Sequence, residues 1–255
     1  MNPQATLAWF RGWGTVARFA FAVAAAALSR SSYTPRMLTI ATRQVYFTAW
    51  QALAGFILFS ALFTVITVEI TVAAARGFGL EGYALELVFR ALVLEMLPLL
   101  TALMVALRSG AAISTEVALM RIGGDLDRMR NEDIDPLERE FLPRVLATAA
   151  SLVSLTVMSC TVALVAAYVS MYGFTPWGFD EYTRVVAQVF SPAALAGFTL
   201  RCIAFGVAVA IIPIAAGADA THDLKSAPVA VMGGMVRLFF ALGLIEAASL
   251  AVKYV

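Results

Sequence analysis

The amino-acid sequence predicts an all-α membrane protein: an N-terminal interfacial helix, five transmembrane helices, and a short cytoplasmic helix between the second and third. Three observations carry that prediction. Of 255 residues, 61% are apolar and 14% are charged, with a mean hydropathy of +0.85. Soluble domains run near about 45–50% apolar and about 25% charged. Apolar runs of about 20 residues, the length that crosses about 30 Å of hydrocarbon, recur along the chain. The basic residues, finally, gather on alternate breaks between those runs.

The elements follow in order within a single domain, 1–255, of which 1–44 is the interfacial helix and cytoplasmic lead-in and 45–255 the five-span bundle. Trp9, Trp13, Val16 and Ala20 recur at helical spacing, while Arg11 and Arg18 lie on another face. That is the pattern of a helix lying in the interface plane. No basic residue precedes this stretch and no small-x-small cleavage site follows it, so it is not read as a signal peptide. The spans are expected at 45–75, 87–120, 145–172, 193–218 and 229–252. Between them lie Arg76-Gly77-Phe78-Gly79, a charged block at 121–140, and breaks at 173–192 and 219–228 that carry loop punctuation.

Arg11, Arg18, Arg30, Arg36 and Arg43 precede the first span with no acid among them, which places the N-terminus in the cytoplasm. Arg121, Arg128, Arg130, Arg139 and Lys225 then fall on the same side, against Arg76, Arg184 and Lys253 on the other. An odd number of crossings leaves the C-terminus in the periplasm or outside the cell.

Several chemistries are excluded. A net charge of +1 gathers no nucleic acid. Two cysteines, Cys160 and Cys202, and one histidine, His222, build neither a disulfide framework nor an all-protein metal cage. Neither lysine, Lys225 nor Lys253, sits in a phosphate-binding glycine loop, so ATP hydrolysis is not expected in this chain. No G-x-S-x-G elbow or H-E-x-x-H helix occurs. A non-catalytic protein that binds, conducts or transports remains.

Four charges fall at one depth in the outer half of the bilayer: Glu69 in span one, Glu95 in span two, Arg201 in span four and Glu246 in span five. Charges exposed to hydrocarbon are costly, so these should face one another, a cavity or a lipid headgroup. Pro98 has no N–H for the carbonyl of Leu94, which should loosen span two beside Glu95. The set is expected to receive a headgroup while acyl chains lie on apolar walls. Interhelical pairing is the alternative for any one of them.

The most informative stretch runs from residue 95 to 145. It reads Glu95-Met96-Leu97-Pro98, Ala106-Leu107-Arg108-Ser109-Gly110-Ala111, Glu116, Met120-Arg121, Asp135-Pro136-Leu137 and Pro143-Arg144-Val145-Leu146. In order and spacing this closely resembles the MlaE/YrbE family of ABC-transporter permeases. The sequence departs from that pattern at Leu94, at Leu97 and at Gly123-Gly124-Asp125. The resemblance implies a permease paired with a second copy or a paralogue and docked on two cytoplasmic ATPase subunits, which use ATP and Mg. It also implies exchange of lipid with an MCE-domain protein, in the cytoplasmic (inner) membrane.

The residues themselves add detail. Ala106, Gly110 and Ser114 repeat every four residues, which lets helix backbones approach closely in lipid. Ile122, Leu126 and Met129 fall at helical spacing among Asp125, Asp127, Arg128 and Arg130. Such a stripe can lie in a partner's groove, as the ATPase-coupling helix the family implies. Asp135 then caps a new helix with Pro136 at its first position. The reading is a permease moving phospholipid or a related lipid. Alternatives are one half of a heteromeric permease importing sterol or fatty acid, a non-transporting anchor for an MCE protein, and an ion-coupled carrier using Glu69, Glu95 and Glu246.

Overall fold

The computed structural model describes residues 3–29, 35–221, 223 and 226–254. Arg30, His222 and Lys225, with the side chains of Trp9, Arg11 and Arg36, lie outside the described residues. Among those described there is no strand. Five helical segments are long and apolar enough to cross a membrane: Thr39–Gly77, Tyr83–Ile122, Leu137–Tyr172, Pro192–Ala218 and Ser226–Lys253.

Helix α1 (Pro3–Leu28) precedes them and packs on the bundle through one face. Val16, Val23 and Ala26 are buried in the main core. Trp13 meets Phe240 and Phe19 meets Phe141 edge-on, with ring centroids 6.3 and 5.6 Å apart. Gly12 lies beneath Arg237, where an added Cβ would fall 1.6 Å from Nη1. Arg18 and Phe21, on another side, are exposed.

Span one joins α2 (Pro35–Val45) through a π turn to α3 (Gln51–Gly77). Span two is interrupted twice: α4 (Glu81–Leu87), a π stretch (Val88–Met96), α5 (Leu97–Val105), a second π turn (Ala106–Gly110) and α6 (Ala111–Ile122). Its 40 residues extend about 60 Å at about 1.5 Å per residue, twice the hydrocarbon thickness. Arg108, Glu116 and Arg121 show which part projects. The end of α6, the short α7 (Asp125–Asn131) and the start of α8 (Leu142–Tyr172) form a knob at the arginine-rich end of the bundle.

At that end the expected continuous stripe through Ile122, Leu126 and Met129 does not form. Gly124 has φ +78°, a left-handed conformation that glycine adopts freely and that stops a helix. The glycine pair therefore ends α6, and α7 starts on a new axis. Asp135 does cap the next segment, its Oδ1 accepting from Leu137 N at 2.9 Å.

Small residues bring α6 against α10 (Pro192–Ala218) and α11 (Ser226–Tyr254). Ala106, Gly110 and Ser114 are all buried. Beside Gly110 lies Pro213 Cγ, 3.4 Å from where a Cβ would stand. At Gly217 a Cβ would come within 2.4 Å of the Ser114 carbonyl oxygen. The spacing of four thus serves packing within the chain.

The break at 173–192, read as a loop, contains a further helix, α9 (Phe179–Val189). Tyr182, Val185, Val186 and Val189 recur at helical spacing and pack into a second core cluster with Leu85, Phe89 and Leu92 of span two. Tyr182 donates its hydroxyl to the Leu164 carbonyl at 2.6 Å, and burial pushes its phenol up from its ordinary range. Ser191 caps α10, its Oγ accepting from Ala194 N at 3.3 Å.

Candidate functional site

The site is built where span two loses its regular helix. Pro98 follows the π stretch and is buried. Because proline offers no N–H, the Leu94 carbonyl is free for a side chain, and Arg201 Nη1 of α10 donates to it at 3.0 Å. The same Nη1 also donates to Glu95 Oε2. Arg201 Nε and Nη2 both donate to Ser249 Oγ of α11, at 2.8 and 2.5 Å. One guanidinium therefore ties spans two, four and five together, using the several donors that distinguish it from an ammonium.

Two more charges complete the group. Glu246 Oε1 lies 3.6 Å from Arg201 Nη1, and its Oε2 has no hydrogen-bond partner. Lys253 Nζ donates to Glu95 Oε1 at 2.5 Å. The spans thus bring together Glu95, Arg201 and Glu246 from the expected four. Glu69 stands apart: it is exposed on α3 and accepts from Ser170 Oγ at 2.8 Å. Depth along a span follows from sequence, but the direction a residue faces around it does not.

Lys253 and Ser249 were missed because they lie past or within the apolar run, where they read as an end anchor and a filler. A signal existed. Glu246, Ser249 and Lys253 fall at i, i+3 and i+7, one face of a single helix. With Glu69 removed and Lys253 added, two acids face two bases.

A cavity of about 650 Å³ opens beside this group. Ala194, Phe198, Leu200, Ala204, Ile245 and Val252 form its walls, and Glu95, Arg201, Ser249 and Lys253 its polar end. Its volume lies within the roughly 300–1,000 Å³ of small-molecule sites. Long apolar walls with one charged end suit an amphiphile.

The other expected site lies on the knob. Leu126 is 3% exposed and belongs to the main core. Ile122 packs against Ala118, Ala220 and Ala227, and Met129 is half-buried. The stripe expected to enter a partner is thus turned inward, because the left-handed turn at Gly124 folds α7 back on the bundle. Pro136 is likewise buried, while Asp125 accepts from Arg128 at 3.4 Å and Asp135 is exposed. The face left open is charged, with Arg128 and Arg130 exposed on α7 and Glu132 and Asp133 exposed just after it.

Comparison with known proteins adds independent findings. The sequence model of the family described as Permease MlaE matches residues 41–252. Two proteins named "Probable ABC transporter permease protein" are similar. That of Synechocystis is 29% identical over 154 residues, 58% of this chain and 57% of that protein. That of Rickettsia conorii is 24% identical over 214 residues, 83% of this chain and 80% of that protein. The intermembrane phospholipid transport system permease protein MlaE of Haemophilus influenzae is 30% identical over 97 residues, 34% of this chain and 37% of that protein.

Proposed function

The chain belongs to the MlaE permease family, and from that premise we propose that it is the membrane-embedded subunit of an ABC transporter that moves phospholipid. One observation carries the lipid assignment: the cavity whose apolar walls end at Arg201 and Lys253. A phosphate-bearing headgroup fits that charged end, because both cations already hold oxygen ligands there and a phosphate offers the same acceptor chemistry. The acyl chains lie along Phe198, Leu200 and Ile245.

In this reading the arginine-rich knob faces the cytoplasm and carries the ATPase contact through the charged face of α7 rather than through an apolar stripe. The chain contributes no hydrolytic chemistry. ATP and Mg are used by two partner ATPase subunits, and an MCE-domain protein takes or supplies lipid on the opposite side. Two permease subunits, identical or paralogous, separate to admit lipid and close to expel it, an alternating-access cycle driven by differential binding of the two states.

Purification of the tagged protein from its native membrane tests this. An ATP-binding subunit is expected to accompany it, and hydrolysis-dependent lipid movement is expected in proteoliposomes made from the complex. A protein that arrives without an ATPase and still moves lipid would overturn the reading in favour of a secondary carrier.

A further inference from the structure

The Pro143-Arg144 motif and Glu116, prominent in the sequence, have no part in the cavity. Arg144 stands in the first turn of α8, in the knob, and is 7% exposed. Its Nη1 donates to Glu140 Oε2 at 2.6 Å and to the Glu140 carbonyl at 3.0 Å. Its Nη2 donates to Glu116 Oε1 of α6 at 2.8 Å. The first partner is one turn away and fixes the guanidinium in place. The second lies across the helix pair and joins span two to span three.

Helix α7 is tied to the same frame. Arg121 Nη1, at the end of α6, donates to Asp127 Oδ1 at 2.8 Å, and Leu126 is buried in the main core. Ile134 N donates to the Met129 carbonyl at 2.9 Å, closing the turn toward α8. Seven residues do not hold a helix by themselves in water, so a force applied to α7 passes on only where it is anchored. Those anchors are α6 and α8, and Arg144 makes a polar bond between them.

We propose that Arg144 is the positioning residue that makes spans two and three respond to α7 as one body, through its simultaneous bonds to Glu116 and Glu140. Apolar contacts permit helices to slide, whereas a fork between two carboxylates has discrete made and broken arrangements, as elements that transmit coupling require. Glu116 is exposed over about half its side chain, so its bond opens without uncovering the core. The Arg144–Glu116 bond is a weak source of stability, since an ion pair with one exposed partner contributes little.

The inference rests on the ATPase-driven reading above, and its test separates the two. Glu116→Ala removes the acceptor for Arg144 Nη2, leaves the Arg144–Glu140 pair intact and alters an exposed side chain, so the variant folds. In the reconstituted complex, ATPase association and ATP hydrolysis are expected to stay within about twofold of the parent and the melting temperature within about 2 °C. Lipid moved per ATP hydrolysed is expected to fall about tenfold, the scale of a typical coupling free energy. Arg144→Lys, which keeps the charge but cannot reach both acids, is expected to uncouple similarly. Unchanged lipid per ATP in Glu116→Ala, or a loss explained wholly by melting or dissociation, overturns the role of Arg144. A parent protein that carries no ATPase overturns the permease reading and this inference with it.

Discussion

Two arginines, one near each end of the bundle, are each held by a pair of carboxylates, and the difference between them separates the two tasks proposed for the molecule. Arg201 lies between Glu95 and Glu246 beside an open cavity, with Lys253 as a second cation. Arg144 lies between Glu116 and Glu140 in a knob packed on the main core. Similar ligands therefore sit at opposite ends: beside the cavity, an arginine can exchange a carboxylate for an anionic guest; between two helices, it can hold or release a neighbour.

The sharpest way to break the comparison is to remove the buried cation beside the cavity. Arg201→Met leaves Glu95 and Glu246 in low dielectric with one lysine between them. A loss of about 3–5 kcal/mol in unfolding free energy is expected, because stripping one partner leaves an uncompensated buried charge. A change below about 1 kcal/mol would mean that the acids are not held by Arg201.

A smaller effect is expected where only packing is disturbed. Gly217→Ala drives a Cβ to within 2.4 Å of the Ser114 carbonyl oxygen, so α10 must move away from α6, costing about 1–3 kcal/mol. The smallest concerns the acid excluded from the site. Glu69→Gln is expected to change stability by less than about 0.5 kcal/mol and to leave lipid transport at the parental rate. A severe transport loss in this variant would return Glu69 to the cavity group and undo the comparison.

Much of this was legible in the sequence because the bilayer imposes a length. Five apolar runs could be counted, and the punctuation between them marked where each ended. Pro98 likewise announced a freed carbonyl at Leu94, since ring geometry and a missing N–H are local facts. Rotation about a helix axis is not local. For that reason Glu69 was grouped by depth with residues it does not meet, and the apolar face of α7 was assigned outward although Leu126 points into the core. Lys253 was counted only as a basic residue on the outer side because it follows the last apolar residue of its span, and its long stem brings the ammonium back to Glu95. Helix α9 was hidden by the Gly and Pro residues that flank it.

The most direct test of the central claim, that the charged end of the cavity receives a lipid headgroup, is photocrosslinking of phosphatidylethanolamine carrying a photoreactive acyl chain to the purified complex in vesicles. Labelling is predicted at the cavity walls, on Phe198 and Ile245, and is predicted to fall several-fold in Lys253→Met while labelling of the exposed Leu58 on α3 is unchanged. Equal labelling of cavity and lipid-facing positions, indifferent to Lys253, would contradict the account.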